Sequence, residues 1–260
     1  MARDIWSPAQ YAAHADHRSR PFYELLGRVG ADDPRHVVDL GCGPGELTAE
    51  LARRWPGATV EGIDSSASMI ATARRLEDAR LAFRLGDIAT WQPSAPTDVI
   101  VSNAALQWVP AHEDLLPGWV AALPDGGWLA FAVPANFDAP SHVLLRELCA
   151  SVRWRAELAG TLRHVNVRDP GHYLELLTRL GCDADVWETT YQQVLKGPDA
   201  VREWTKGTAL RPALDVLGSD AEREEFTAAY RALLAGAYPQ RSYGTLFPFR
   251  RIFVVARRTS

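Results

Sequence analysis

The chain has 260 residues, 47 % hydrophobic and 23 % charged, with a formal net charge of −4. That is a globular composition, long enough for an α/β domain with insertions, and its acidic balance argues against a nucleic-acid partner. No apolar run approaches the ~20 residues of a membrane span, and the opening MARDIWSPAQYAAH lacks the apolar core of a signal peptide, so a cytoplasmic protein without a membrane partner is expected.

In chain order, residues 1–34 read as a helical lead-in, with Pro21 at a helix start ahead of FYELLGRV. Strands and helices then alternate from 35 to 134. HVVDL (36–40), TVEGID (59–64), LAFRLGD (81–87), DVIVSNA (98–104) and WLAFAVP (128–134) are strands. ELTAELARRW (46–55), ASMIATARRL (67–76) and a stretch near 112–123 are the helices between them. Beyond 134 the pattern changes. Ser141 is a candidate cap for a long helix to about Ala159, and Asp169, Pro170 and Gly181 punctuate a helix over 169–181. DADVWETTYQQVL (183–195) alternates as a strand, 198–237 is helical with a capping box at SDAE (219–222), and RIFVVARR (251–258) is the last strand. The prediction is one α/β domain over 1–260. It is a Rossmann-like, doubly wound, mostly parallel seven-stranded sheet with helices on both faces. Its cofactor core is 35–134, and the helical insertions 135–181 and 196–250 form an added substrate cap.

VVDLGCGPGELT (37–48) carries the chemistry. Dinucleotide folds use GxGxxG; here Gly41, Gly43 and Gly45 make GxGxG, and Asp39 precedes them. A carboxylate at Asp39 repels a pyrophosphate but suits an ammonium group. Asp64 ends the second strand, where an acid takes both ribose hydroxyls, and Asp87 ends the third, where it can accept from an adenine amine. Ammonium, ribose, adenine and no phosphate describe S-adenosylmethionine. The plain alternatives are a structural glycine turn, a helix cap at Asp64 (a task Ser65 or Ser66 does equally well) and a surface acid at Asp87. Cys42 reads as a small buried filler, and the three scattered cysteines offer no metal spacing, so no metal is expected.

VVDLGCGPGELT, GIDSS, GDI and SNAALQWV together resemble the class I S-adenosylmethionine-dependent methyltransferases. The resemblance extends to one branch, the trans-aconitate 2-methyltransferase family, through WSPAQYAAHADHRSRPFYELL, SNAALQWVPAHEDLLP, PANFDAPSHVLLRE, EWTKGTALRP and FPFRRIFVVARR; it does not extend over 153–168 and 235–247. It implies transfer of a methyl group from S-adenosylmethionine to a carboxylate of a small polycarboxylic acid, leaving S-adenosylhomocysteine. It also implies cofactor contacts from Tyr11, Asp39, Gly41, Gly43, Gly45, Asp64, Ser65, Met69, Asp87, Ile88 and Asn103. No catalytic base is expected, because the acceptor carboxylate is already ionised at pH 7.

The spectator carboxylates of such a substrate call for cations, and arginine matches their geometry. Candidates are Arg18, Arg20, Arg211, Arg250 and Arg251, each with an equally plain reading as a solvated surface arginine. Gln107, Trp108 and Asn136 follow the fourth and fifth strands and can pack against or hydrogen-bond the acid; Trp108 also reads as core. His142 and Tyr191 are further candidate partners. Three rival readings stay open: a carboxyl, N- or C-methyltransferase acting on another metabolite or carrier-bound acid, a non-catalytic adenosylmethionine-binding module, and an NAD-dependent dehydrogenase.

Overall fold

Runs of buried β-branched and aromatic residues build the sheet. A computed structural model describes residues 15–93, 96–162 and 167–259, with side chains from Ser19 onward. The strands are β1 (His36–Leu40), β2 (Thr59–Asp64), β3 (Leu81–Leu85), β4 (Val99–Asn103), β5 (Trp128–Pro134), β6 (Cys182–Leu195), the short β7 (Gln240–Arg241) and β8 (Gly244–Arg258). Their order is β3-β2-β1-β4-β5-β8-β6, with β7 paired to β8. β1 to β5 are parallel, and β8 runs antiparallel to β5 with Pro134 opposite Arg251. All five residues of β4 are buried, as expected for a central strand covered on both faces.

The helices are α1 (Ala15–Leu26), α2 (Glu46–Arg54), α3 (Ala67–Ala73), α4 (Leu116–Ala122), α5 (Pro140–Ala150), α6 (Arg155–Leu158), α7 (Pro170–Arg179), α8 (Ala200–Lys206), α9 (Arg211–Val216) and α10 (Asp220–Ala237). α1 packs on β5, α2 on β2, and α3 on β2 and β3. This is the doubly wound arrangement that the alternation predicts.

Several boundaries differ from the expectation. Pro21 lies inside α1 and does not start it. The backbone bond lost at Pro21 is outweighed by burial of Phe22, Leu25 and Leu26, each worth about 1.5–3 kcal/mol. Ser141 caps nothing: Ala139 precedes α5, with Pro140 opening the helix. The fully buried Ser141 is instead held by its backbone, its N–H donating to the Tyr238 hydroxyl (3.1 Å) and its carbonyl accepting from Tyr230 (2.8 Å). The expected helix to Ala159 breaks after Ala150, where Trp154 turns inward against Phe226. The stretch 198–237 is three helices, α8 to α10. Its predicted capping box is present, Ser219 Oγ accepting from Glu222 N–H and the Glu222 carboxylate accepting from Ser219 N–H. Asp169 precedes α7 without a side-chain cap bond.

Contacts divide the chain into two compact units. The first comprises Met1–Pro134, Asn166–Thr189 and Arg251–Ser260; the second comprises Ala135–Val165 and Thr190–Arg250.

Candidate cofactor and active site

Each parallel strand of the first unit ends at the same edge of the sheet, and chain order reverses between β1 and β4. That crevice is where open α/β sheets bind ligands. The turn after β1 lies in it. Gly41, Gly43 and Gly45 have φ of 85°, 56° and 91°, left-handed values that favour glycine. A Cβ on Gly41 would stand 2.2 Å from Ala105 Cβ and 3.4 Å from Ile88 Cδ1, so the segments after β3 and β4 close around this glycine. A Cβ on Gly45 would stand 2.8 Å from Phe83. Gly43 differs: nothing among the described residues lies within 4 Å of its would-be Cβ.

Asp64 ends β2 and organises this turn. Its Oδ2 accepts from Gly43 N–H (2.9 Å), and its Oδ1 accepts from Ser66 N–H (2.8 Å). Helix capping falls to Ser66, whose hydroxyl accepts from the buried Met69 N–H at 3.2 Å, and Ser65 is exposed. Asp64 is therefore spared the capping role and anchors the glycine turn at its open side. Asp39 is buried in β1, 3 % exposed, and accepts from Thr48 Oγ1 at 2.6 Å. Burial pushes its carboxyl up to about 7; the Thr48 hydroxyl opposes that shift and the Asp64 carboxylate adds to it. Burial, with Asp39 and Asp64 alongside, also pushes the Cys42 thiol up and keeps it neutral, as a filler requires. Asp87 is exposed two residues beyond β3, its Oδ1 accepting from Ala89 N–H, and Ile88 beside it is buried.

The segment after β4 adds two amides. Gln107 Nε2 donates to the Ala104 carbonyl at 2.6 Å. A carbonyl only accepts, so this bond fixes the orientation of the amide and leaves Gln107 Oε1 as an acceptor. Gln107 Oε1 and Asn103 Oδ1 are both buried and find no donor among the described residues. Buried polar atoms are normally satisfied, so two orphaned acceptors beside the glycine turn mark a place for a ligand's donors. Together with the open face of Gly43 and the Asp64 carboxylate, they fit an adenosyl amino acid. Trp108 closes the same turn, half-buried.

The arginine candidates separate. Arg251 starts the part of β8 opposite Pro134, at the same sheet edge, and is 5 % exposed. Arg20 is exposed and pairs with Glu24 at 2.8 Å on α1. Arg18 is described by its backbone alone, and Tyr11 lies outside the described residues. The second unit holds Asn136, His142, Tyr191, Arg211 and Arg250. Asn136 is buried, its Nδ2 without a partner among the described residues, and Tyr191 is buried. Arg211 lies 3.7 Å from Asp215, and Arg250 Nη1 reaches the Ala135 carbonyl at 3.5 Å. Burial, reinforced by Arg146, pushes His142 down to about 4, so it is neutral at pH 7 in the ligand-free protein. A cavity of about 370 Å³ in this unit, lined by Pro140, Tyr238, Arg241, Tyr243 and Leu246 among others, contains none of the predicted site residues.

Sequence reading missed Thr48, Ala104, Ala105 and Gly62. Gly62 had a signal in being a glycine inside a strand, and a Cβ there would stand 2.6 Å from Phe83. Ala104 is a non-glycine residue at φ 57°, a strained conformation no sequence pattern announces. Among the described residues no cluster of metal-ligating side chains occurs, and no helix is long and apolar enough to cross a membrane.

The geometry of Asp64 gives a first expected result. Asp64→Asn should lower affinity for S-adenosylhomocysteine at least tenfold, since a hydrogen bond to a charged group contributes roughly 1.5–3 kcal/mol. Unchanged affinity by titration calorimetry removes Asp64 from the site.

A family model described as a methyltransferase domain matches residues 11–186. Among solved structures, a chain of the complex between the Haloferax volcanii Trm112 methyltransferase activator and its methyltransferase superposes with a TM-score of 0.58 at 18 % identity, covering 100 % of this chain and 98 % of that one. Haemonchus contortus phosphoethanolamine N-methyltransferase 2, in complex with S-adenosyl-L-methionine, superposes at 0.55 and 16 % identity, covering 93 % and 53 %. At these identities the likeness establishes the fold. Full-length relatives are much nearer. The trans-aconitate 2-methyltransferase of Streptomyces avermitilis is 54 % identical, over 97 % of both chains. Those of Mycolicibacterium gilvum and Rhodococcus jostii are 53 % and 52 % identical, each over 97 % of this chain and 99 % of theirs. The chain belongs to the trans-aconitate 2-methyltransferase family of S-adenosylmethionine-dependent methyltransferases.

Proposed function

We propose that the protein transfers a methyl group from S-adenosylmethionine to a carboxylate of trans-aconitate, producing a monomethyl ester and S-adenosylhomocysteine. The observation that carries this reading is 54 % identity over 97 % of both chains to a trans-aconitate 2-methyltransferase. The electrostatics of the site support it. When bound, S-adenosylmethionine supplies an electrophilic methyl group on a sulfonium centre. Asp39 and Asp64 provide negative charge for its ammonium and ribose, and the Gly43 backbone gives close approach. Asp87 would accept from the adenine amine, with Ile88 as apolar wall. Asn103 and Gln107 offer neutral acceptors; carboxylates in their places would repel an anionic substrate.

The acceptor needs no base, since a carboxylate is ionised at pH 7. The task left to the chain is orientation, which can supply a large part of a bimolecular rate. Arg251 is our first candidate for a spectator carboxylate. A guanidinium bound to the reacting oxygen itself would withhold its electrons, so a cation is useful on the groups that do not react. Arg18, Arg20, Arg211 and Arg250 are further candidates, and Trp108, Asn136 and Tyr191 are proposed as packing or hydrogen-bonding partners. His142, neutral in the ligand-free protein, is a candidate hydrogen-bonding partner.

The test is incubation with methyl-labelled cofactor and a panel of di- and tricarboxylic acids, with mass spectrometry locating the label. trans-Aconitate should react faster than the cis isomer, because the two place their spectator carboxylates differently. Equal rates for both isomers, or faster methylation of an amine, would overturn the assignment.

A further inference from the structure

Thr48 sits in the first turn of α2 with its side chain fully buried. A threonine there has two plain options, solvent or a back-bond to its own helix. It takes neither: its hydroxyl donates to Asp39 Oδ2 at 2.6 Å, across the whole strand–turn–helix segment. The bond occupies one oxygen of the only polar side chain in the buried run 37–40 and leaves Oδ1 for a second donor. Resting on the cofactor reading above, we infer that Thr48 is a positioning residue for the cofactor's ammonium group, holding the Asp39 carboxylate in one orientation.

The physical argument is a balance at Asp39. Its strand neighbours in register, Gly62 on β2 and Val101 on β4, bring no charge. The titratable groups near it are Asp64, which disfavours a second negative charge, and Cys42, whose thiol stays neutral. Among the described residues no cation offsets the burial of Asp39, and the Thr48 hydroxyl is the group that favours its ionised form. An arriving ammonium supplies the missing charge, so binding draws a proton off Asp39 wherever that carboxyl is protonated in the free protein. Removing the hydroxyl makes the ionised form harder to reach and moves the pH at which the ammonium is captured upward.

The experiment is calorimetric titration of the full-length protein with S-adenosylhomocysteine, which carries the ammonium, and with 5′-methylthioadenosine, which lacks it. Titrations run from pH 5.5 to 8.5 in buffers of different ionisation enthalpy. Wild type should release protons on binding S-adenosylhomocysteine at pH 6, with the release fading above pH 8. Thr48→Val should lose roughly tenfold or more in affinity for S-adenosylhomocysteine at pH 7, with the midpoint of its pH profile raised. Its affinity for 5′-methylthioadenosine should stay within about twofold, and Thr48→Ser should restore the wild-type profile. Equal losses for both ligands overturn the inference, because a merely structural hydroxyl loosens the whole turn. So does an unshifted profile in Thr48→Val, or absence of proton release in wild type, which is decisive even if the valine variant does not fold. Wild type that binds neither ligand overturns the cofactor reading along with it.

Discussion

Asp39→Asn is expected to make the ligand-free protein more stable at pH 8 while costing it roughly 100-fold in cofactor affinity. The two effects have one origin. The folded carboxyl is raised to about 7 from an ordinary 3.8, chiefly by burial. Between those values the folded chain holds a proton that the unfolded chain has released, so stability falls as pH rises through the window. The penalty is complete above pH 7 and amounts to about 4 kcal/mol at 1.36 kcal/mol per pH unit. An asparagine does not titrate, and its side-chain oxygen can still accept from Thr48. The difference in melting temperature between variant and wild type should therefore be small at pH 4 and grow towards pH 8. The affinity loss follows from leaving the ammonium without its counterion, about 2.7 kcal/mol for 100-fold. A variant that melts below wild type at pH 8 would show that Asp39 is not held against its charge.

Gly41→Ala should destabilise the fold by roughly 3 kcal/mol or more, whereas Gly43→Ala should cost only about 1 kcal/mol and damage cofactor binding instead. Both glycines have positive φ, which costs an alanine about 1–2 kcal/mol. At Gly41 the new methyl also meets Ala105 Cβ at 2.2 Å. Alanine has no rotamer to relieve that contact, so the backbone after β4 must shift, and overpacking typically adds 1–3 kcal/mol. At Gly43 the methyl meets no atom of the described residues within 4 Å and protrudes into the space proposed for the cofactor. Thermal melts and calorimetry on the pair separate the two effects. Equal destabilisation, or a Gly43→Ala variant with full affinity, would place the cofactor elsewhere.

Much of the architecture was legible before any coordinates. β1, β4 and β5 stand out because a strand covered on both faces is apolar along most of its length, and the turns between the strands carry glycine, proline and acids. β6 and β8 were recognised, although β8 begins at Gly244, upstream of the RIFVVARR run. The breaks after α5 and between α8 and α9 were not legible. Trp154 is buried at 2 % exposure because Phe226, far along the chain, offers it an edge, and no local residue reports that contact. Pro21 misled for the same reason: the intrinsic penalty is local, but the burial that offsets it comes from the sheet.

The candidate site divides in the same way. Sequence by itself determined the family and placed the glycine turn and the acids Asp39, Asp64 and Asp87 in or just after three successive strands, because a left-handed turn favours glycine and an acid stands out in an apolar strand, wherever the rest of the chain goes. Only the tertiary structure decided which function each residue is free to serve. Ser66 takes the cap and releases Asp64; Thr48 engages Asp39; Gln107 spends its amide nitrogen on Ala104 and keeps its oxygen. Tertiary structure also separated Arg251, buried at the carboxyl edge of the sheet, from Arg20, exposed and paired on a helix, and left His142 neutral. Hydrogen bonding, desolvation and charge depend on distances between residues remote in sequence, and those distances exist only once the chain has folded.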